Sequence, residues 1–234
     1  MIKLALHYKV FAKQDTASAS SYAFEKPVHL WHTNGAGQPS AVFIGKKEHT
    51  MKALGFAAFS GMGKTTLLEQ LIAALRARGQ RVSTVKHAHH DVDIDIPGKD
   101  SWRHRQAGAS EVLLVCDKRL ALVREFETEQ ELDVHAMLAE LRSDVDWVLV
   151  EGFKHGDLPK IEIWRAPDPA SGKPGKPLRF PEDPHVVALA TDDVAALPVQ
   201  PPAHIALLDL NQPAHIADWM LANASRFEYQ GVNA

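Results

Sequence analysis

Residues 58–65 constrain the fold of this chain more than any other part of the sequence. They read AFSGMGKT and match seven of the eight positions of the phosphate-loop pattern G-x-x-x-x-G-K-[ST], with Ala58 in place of the first glycine. An apolar run of strand length, residues 53–59, precedes the turn. Residues 64–78 follow with leucine and isoleucine at helical spacing. This strand–turn–helix context is the one in which such a loop holds nucleotide phosphates.

The residue types of the loop suit a triphosphate with Mg²⁺. Gly61 and Gly63 let the backbone approach the phosphates with dihedral angles that other residues avoid. The first N–H groups of the following helix point at the same anion. Lys64 supplies a positive charge for the β- and γ-phosphates, and the Thr65 hydroxyl is suited to Mg²⁺. The residues predicted to bind nucleotide here are Ser60, Gly61, Met62, Gly63, Lys64, Thr65 and Thr66.

A carboxylate for the metal is predicted at the end of another apolar strand, residues 147–150. Glu151 follows this strand directly, where the crevice of an open α/β sheet is expected. Phosphate-loop proteins use such a carboxylate to hold Mg²⁺ or its waters. We therefore predict that Glu151 and Thr65 form the metal site and that Glu151 and Lys64 are catalytic. The alternative carboxylates for this role are Asp91, Asp93 and Asp95.

The order of the predicted elements indicates an α/β fold of the P-loop NTPase type, with a mainly parallel sheet flanked by helices. Residues 111–116 and 120–124 flank Asp117-Lys118 and predict an antiparallel hairpin. Further strands are predicted at residues 81–86, 160–164 and, as the last strand, 186–190. Helices are predicted at residues 100–107, capped by Asp100 or Ser101, and at 128–142 and 213–224.

Residues 1–50 differ from the rest of the chain because their pattern is weak throughout. We predict that the nucleotide-binding domain comprises residues 51–234. Residues 1–50 are interpreted as a weakly structured extension or as sequence read from a misplaced start. The alternative is a small appendage with short strands such as residues 41–44.

Composition limits the function classes only slightly. The net charge of −3 gives no reason to expect nucleic acid or an anionic membrane as partner. No stretch approaches the roughly 18 apolar residues of a membrane span, so we expect a cytoplasmic protein. The single cysteine, Cys116, excludes an intramolecular disulfide, and its apolar neighbours predict a buried core thiol.

The most specific part of the sequence lies between the second predicted strand and the hairpin. It contains KH at residues 86–87, DIPGKDS at 95–101 and AGA at 107–109. Together with EGFK at 151–154 and PKIE at 159–162, these segments closely resemble the MobB family, the molybdopterin-guanine dinucleotide biosynthesis adaptor proteins. The resemblance extends roughly from residue 52 to the last helix and does not include residues 1–50.

The resemblance implies a dimeric protein that binds GTP with Mg²⁺ and hydrolyses it weakly. Its implied partner is the molybdenum cofactor guanylyltransferase, which attaches GMP to molybdopterin, and molybdopterin itself is a second implied ligand. By matching position, the phosphate loop holds phosphate and Mg²⁺, and Glu151 lies near the metal. The residues implied to lie beside the γ-phosphate or the partner's substrate are Lys99, Asp100, Ser101 and Arg103.

The residues themselves leave guanine preference open. The Asn-Lys-x-Asp signature of many GTPases is absent. Asp192 follows the last predicted strand and could accept hydrogen bonds from guanine N1 and N2, although Asp is also a common turn residue. Arg103 and Arg105 are candidate arginine fingers, a group worth about 10³–10⁵ in rate.

Two other functions compete with the adaptor GTPase. A metallochaperone GTPase would use the His- and Asp-rich residues 87–95 to bind Ni²⁺ or Zn²⁺, although the same segment also fits a solvated polar loop. A small-molecule P-loop kinase would use the proline-rich loop at residues 167–184 as a substrate lid. The phosphate loop alone does not separate these classes.

Overall fold

The computed structural model describes residues 30–33, 39–42, 50–88, 92–167, 170 and 175–231. The chain divides into two compact units, Met1–Glu48 and His49–Ala234. In the first unit, strands β1 (Leu30–Thr33) and β2 (Pro39–Val42) pair antiparallel. Most of residues 1–50 lie outside the described residues, so their interpretation as an extension or a misplaced start stays a prediction.

A six-stranded parallel sheet forms the centre of the second unit. The strands of this unit, in chain order, are β3 (Lys52–Ala57), β4 (Val82–Lys86), β5 (Glu111–Cys116), β6 (Arg119–Arg124), β7 (Trp147–Glu151), β8 (Lys160–Trp164), β9 (Val186–Thr191) and β10 (Ala206–Asp209). The sheet has the order β10-β9-β8-β3-β7-β4, with β3 between β8 and β7. Because all its neighbours run parallel, their carboxyl ends meet at one edge.

Helices cover both faces of this sheet. They are α1 (Lys64–Ala77), α2 (Asp100–Gln106), α3 (Val134–Ala139) and α4 (Pro213–Ala222), followed by a 3-10 helix at Ala224–Phe227. Successive side chains of a strand point to opposite faces. Leu54 and Phe56 therefore pack in the cluster that contains α1 and α4, whereas Ala53 packs in the one that contains α3. The predicted fold class, an α/β P-loop arrangement with an antiparallel hairpin, is confirmed.

Several predicted element boundaries were wrong. The helix predicted at residues 128–142 is limited to Val134–Ala139, because Asp133 caps it by accepting a hydrogen bond from the Ala136 N–H at 3.1 Å. The strand at 186–190 is not the last one, since β10 adds a parallel edge strand after it. This strand has only four residues and follows a proline-rich segment, so it has little sequence signal.

The hairpin of β5 and β6 is a separate two-stranded sheet. Cys116 at its tip is exposed, which corrects the prediction of a buried core thiol. The apolar run around it does not enter the core of the unit. Instead, one face of the hairpin carries four apolar side chains that are all at least 44% exposed: Leu113, Val115, Leu120 and Leu122.

None of the helices in the described part of the chain has the length and apolarity that a membrane crossing requires.

Candidate functional site

The predicted phosphate loop connects β3 to α1 at the carboxyl edge of the sheet. Gly61 and Gly63 both have φ of 83°, in the left-handed region that favours glycine. Gly63 is also the N-cap of α1, and the first turn of that helix has no acidic residue. The helix therefore presents its N-terminal N–H groups and positive dipole end to the loop, as an anion-binding site requires.

Glu151 at the end of β7 contacts two of the other predicted site residues, Lys64 and Thr65. The Thr65 hydroxyl donates a hydrogen bond to its Oε1 at 3.2 Å, and Lys64 Nζ lies 3.8 Å from the same oxygen. The Glu151 side chain is only 14% exposed. The structure thus brings Lys64 and Thr65 together with Glu151, which lies more than 80 residues later in the sequence.

Lys86 is a residue of this cluster that the sequence analysis did not assign to the site. Its Nζ lies 3.7 Å from Glu151 Oε2, on the carboxylate oxygen opposite the one that faces Lys64. The signal was its position at the end of a strand, because β4 and β7 pair with Lys86 opposite Glu151. Two ammonium groups and one hydroxyl therefore surround a single carboxylate.

This arrangement has the chemistry that a triphosphate with Mg²⁺ needs. The Thr65 hydroxyl and the Glu151 carboxylate are hard oxygen ligands of the kind Mg²⁺ prefers. Lys64 and Lys86 supply positive charge beside them, and the loop supplies backbone N–H groups. The residues present therefore fit both a metal ion and the phosphates that it would bridge.

Gly152 allows the chain after β7 to pass close to the end of β4. Its φ is 98°, and a Cβ there would lie 2.8 Å from His87 Cβ and 2.9 Å from the His87 carbonyl oxygen. The ring of His87 stacks on Phe153 at 4.6 Å, and the backbone N–H of His87 donates to the Glu151 carbonyl oxygen at 2.8 Å. His87 thus packs against the segment that carries Glu151.

Arg105 holds the segment that precedes α2. Its guanidinium donates to Asp95 at 3.3 Å, to Asp93 at 2.9 Å and to Glu125 at 2.6 Å. Ser101 adds a hydrogen bond from its hydroxyl to Asp95 at 2.9 Å. Burial alone would raise the pKa of Asp95, but the hydrogen bonds from Ser101, the Ile96 N–H and Arg105 together hold it below its ordinary value. Of the two arginine-finger candidates, Arg105 is therefore engaged in this network.

The other residues implied near the γ-phosphate belong to α2 or directly precede it. Lys99, Asp100 and Arg103 are exposed. Lys99 is the N-cap of α2, which corrects the prediction that Asp100 or Ser101 caps this helix. Asp100 instead occupies the first turn, where a carboxylate interacts favourably with the helix dipole.

Asp192 lies on the other side of the phosphate loop, after β9. Both of its carboxylate oxygens accept hydrogen bonds: one from Arg165 Nη1 at 2.7 Å and one from the Ala166 N–H at 3.2 Å. Arg165 also donates through Nε to the carbonyl oxygen of Met62 at 3.2 Å. The sequence analysis did not assign Arg165 to the site, because nothing local distinguishes the residue that follows β8.

Three alternate residues of β8 hold the second half of the proline-rich loop. Lys160 pairs with Asp183 at 3.0 Å, and the Trp164 indole N–H donates to the Lys176 carbonyl at 2.8 Å. The Glu162 carboxylate accepts from the backbone N–H groups of Arg179 and Phe180 at 2.7 and 2.9 Å. This half of the predicted lid is therefore anchored to the sheet; residues 168, 169 and 171–174 lie outside the described residues.

The metal site of the metallochaperone alternative has little support in the described segments. Within them, no group of three or more His, Cys, Asp or Glu side chains comes together as potential metal ligands. Asp93 and Asp95 are paired with Arg105. His89, His90 and Asp91 lie outside the described residues.

Comparison with known proteins agrees with the sequence resemblance. Residues 53–192 match the family model described as molybdopterin guanine dinucleotide synthesis protein B. The chain is 43% identical over 169 residues to a molybdopterin-guanine dinucleotide biosynthesis adapter protein of Escherichia coli (strain K12), covering 72% of this chain and 90% of that protein. A protein of the same description from Haemophilus influenzae is 44% identical over 168 residues, covering 71% and 86%.

Solved structures show the same fold. A MobB protein homolog from Bacillus stearothermophilus has a TM-score of 0.51 and 25% identity, covering 74% of this chain and 98% of that one. Bacillus subtilis MobB has a TM-score of 0.53 at 20% identity, covering 73% and 96%, and this likeness concerns the fold alone.

Proposed function

This chain belongs to the MobB family of molybdopterin-guanine dinucleotide biosynthesis proteins, and on that premise we propose that it is an adaptor that binds GTP with Mg²⁺. The observation that carries the proposal is the convergence of Lys64, Thr65 and Lys86 on Glu151 beside the phosphate loop. This mostly buried carboxylate lies at the edge of the sheet, surrounded by two ammonium groups and a hydroxyl. Such a site fits a metal ion and phosphates in place of these contacts.

Each residue of the cluster has a distinct role in this proposal. Residues 60–66 hold the phosphates through backbone N–H groups, and Lys64 neutralises charge on the β- and γ-phosphates. Thr65 and Glu151 hold Mg²⁺ or its waters, and the ion neutralises developing charge on the phosphates when bound. Lys64 and Lys86, which lie beside Glu151, would supply positive charge to the phosphates.

We also propose that hydrolysis is weak. Catalysis of phosphoryl transfer depends on positive charge at the γ-phosphate, and an arginine finger contributes about 10³–10⁵ in rate. Arg105 is engaged with three carboxylates, and Arg103 is exposed on α2. Arg103 is thus the catalytic arginine of this proposal.

Guanine recognition is assigned to Asp192. A carboxylate has about four lone-pair sites, so one that already accepts from Arg165 and Ala166 can still accept from guanine N1 and N2. Asp192 follows β9, which is separated from the phosphate-loop strand β3 only by β8. This position supports the role.

Two protein contacts complete the proposal. The pathway partner is the molybdenum cofactor guanylyltransferase. The exposed Lys99, Asp100 and Arg103, together with the half-buried Ser101, would face it or its molybdopterin substrate. The second contact is with another copy of this chain, through the apolar hairpin face. A two-stranded sheet is marginally stable alone and has free edges. Pairing with a second hairpin would cover the apolar face and a free edge.

Calorimetric titration with GTP and with ATP, with and without Mg²⁺, tests the nucleotide proposal. We expect GTP to bind more tightly than ATP, with affinity that depends on Mg²⁺ and is lost in Lys64→Ala. Lys118→Ala, at the exposed hairpin turn, is the matched lysine control and should bind like the wild type. Tighter binding of ATP would contradict the GTP assignment and favour a kinase. Binding of neither nucleotide would contradict the proposal as a whole.

A further inference from the structure

We propose that Arg165 is a positioning residue for base specificity, which sets the Asp192 carboxylate in register with the phosphate loop. The inference rests on the proposed GTP binding and extends it to a residue outside the phosphate loop and the metal site. Arg165 follows β8, and its guanidinium bridges two loops: Nε donates to the Met62 carbonyl and Nη1 donates to Asp192.

The contact with the phosphate loop is close. A Cβ on Gly63 would lie 3.3 Å from Arg165 Nε and 3.4 Å from Nη2, so the guanidinium packs directly against the residue that begins α1. The hydrogen bond to Met62 uses a carbonyl oxygen of this loop and none of its N–H groups.

The sheet order places this bridge at the nucleoside end of a bound nucleotide. Glu151 and Thr65 mark the metal and γ-phosphate end, on the β7 side of β3. Arg165 and Asp192 follow β8 and β9, on the opposite side of β3. A triphosphate with its γ-phosphate near Glu151 must extend its sugar and base towards Arg165 and Asp192.

Arginine is required for this role because the two bonds come from different nitrogens of one planar group. Nε reaches Met62 at 3.2 Å while Nη1 reaches Asp192 at 2.7 Å. A lysine has the same charge but only one nitrogen, so it cannot keep this fork geometry. Arg165→Lys thus separates the loss of the bridge from the loss of charge.

The test measures the affinities of GTP, ATP and inorganic tripolyphosphate, each with Mg²⁺, for full-length wild type, Arg165→Lys, Asp192→Ala and the double variant. A charge-assisted hydrogen bond contributes about 1.5–3 kcal/mol, which corresponds to roughly tenfold or more. We therefore expect Arg165→Lys to lower the GTP-to-ATP affinity ratio about tenfold and to change tripolyphosphate affinity little. The double variant should have the same ratio as Asp192→Ala, because the two residues act as one unit.

Arg142→Lys is the matched control, since Arg142 pairs with Asp144 away from the loop and should leave the ratio unchanged. A wild-type preference for GTP that Arg165→Lys retains would overturn this inference alone. Parallel losses of GTP, ATP and tripolyphosphate affinity in Arg165→Lys would also overturn it, because they would mean that Arg165 only supports the phosphate loop. Equal wild-type affinity for GTP and ATP would overturn the guanine preference and this inference together.

Discussion

At the scale of single residues, the site depends on a few positions where backbone and charge meet. Gly152 is one of them, because the chain passes directly beside His87 as it leaves β7 after Glu151. A side chain at Gly152 would contact both His87 Cβ and its carbonyl oxygen at less than 3 Å. Neither of these atoms is the end of a flexible side chain, so the backbone itself would have to move.

Gly152→Ala should therefore lower both stability and Mg²⁺-dependent nucleotide affinity. A non-glycine residue in the left-handed region costs about 1–3 kcal/mol, and the clash with His87 adds to this cost. Gly79→Ala is the matched control, since its φ is 77° and nothing lies within 4 Å of a Cβ there. Chemical denaturation of both variants isolates the clash, and equal destabilisation of the two would contradict it.

At the scale of elements, β8 is an unusual central strand because it buries two charged residues. Lys160 and Glu162 are 2% and 1% exposed. Burial raises the pKa of Glu162, although the N–H groups of Arg179 and Phe180 oppose this rise. A raised folded-state pKa contributes stability below the ordinary value of 4.5, and this contribution is lost as the pH rises through the folded-state pKa.

Glu162→Gln should release residues 179 and 180 from the sheet. The amide has one oxygen and no second acceptor, so one backbone N–H loses its partner at a cost of about 1.5–3 kcal/mol. Hydrogen exchange at these two amides should accelerate, and the pH dependence of stability just above pH 4.5 should disappear. The exposed Glu182→Gln should change neither; unchanged exchange in Glu162→Gln would show that its carboxylate does not anchor the loop.

At the scale of the whole molecule, the proposed nucleotide site and the apolar hairpin are separate features of the second unit. The four apolar side chains of the hairpin face are Leu113, Val115, Leu120 and Leu122, and none of them joins the core clusters of the described chain. Exposed apolar faces are typical of surfaces that contact another protein. In the proposal above, that contact is with a second copy.

Leu113→Glu should convert a dimer into a monomer, because its charge would be buried in the proposed apolar contact between two hairpins, where Leu113 and Leu122 are neighbours within each hairpin. GTP affinity should stay within about twofold, since the hairpin contributes no proposed phosphate ligand. Sedimentation velocity measures the mass of each species. Leu207→Glu, on the exposed side of β10, is the matched control and should remain dimeric; a monomeric wild type, or a dimeric Leu113→Glu, would contradict the assignment.

Local sequence patterns were enough to predict the strand, loop and helix around residues 58–65 and the strand-end position of Glu151. These features are local: periodicity places the strands and helices, and the glycine and lysine spacing has a direct chemical reason. The hairpin was likewise predictable, since two apolar runs flank a short polar turn. The predicted Lys64, Thr65 and Glu151 meet because parallel strands end at one edge.

The other residues of the site are brought to it by the order of the strands in the sheet. Lys86 reaches Glu151 because β4 and β7 are neighbours in register, and Arg165 reaches Met62 because β8 lies beside β3. Strand order is set by packing across the whole sheet, and no local pattern encodes it. The same reason explains Cys116: its run is as apolar as a core strand, but the sheet that it joins has only two strands and does not enter the core.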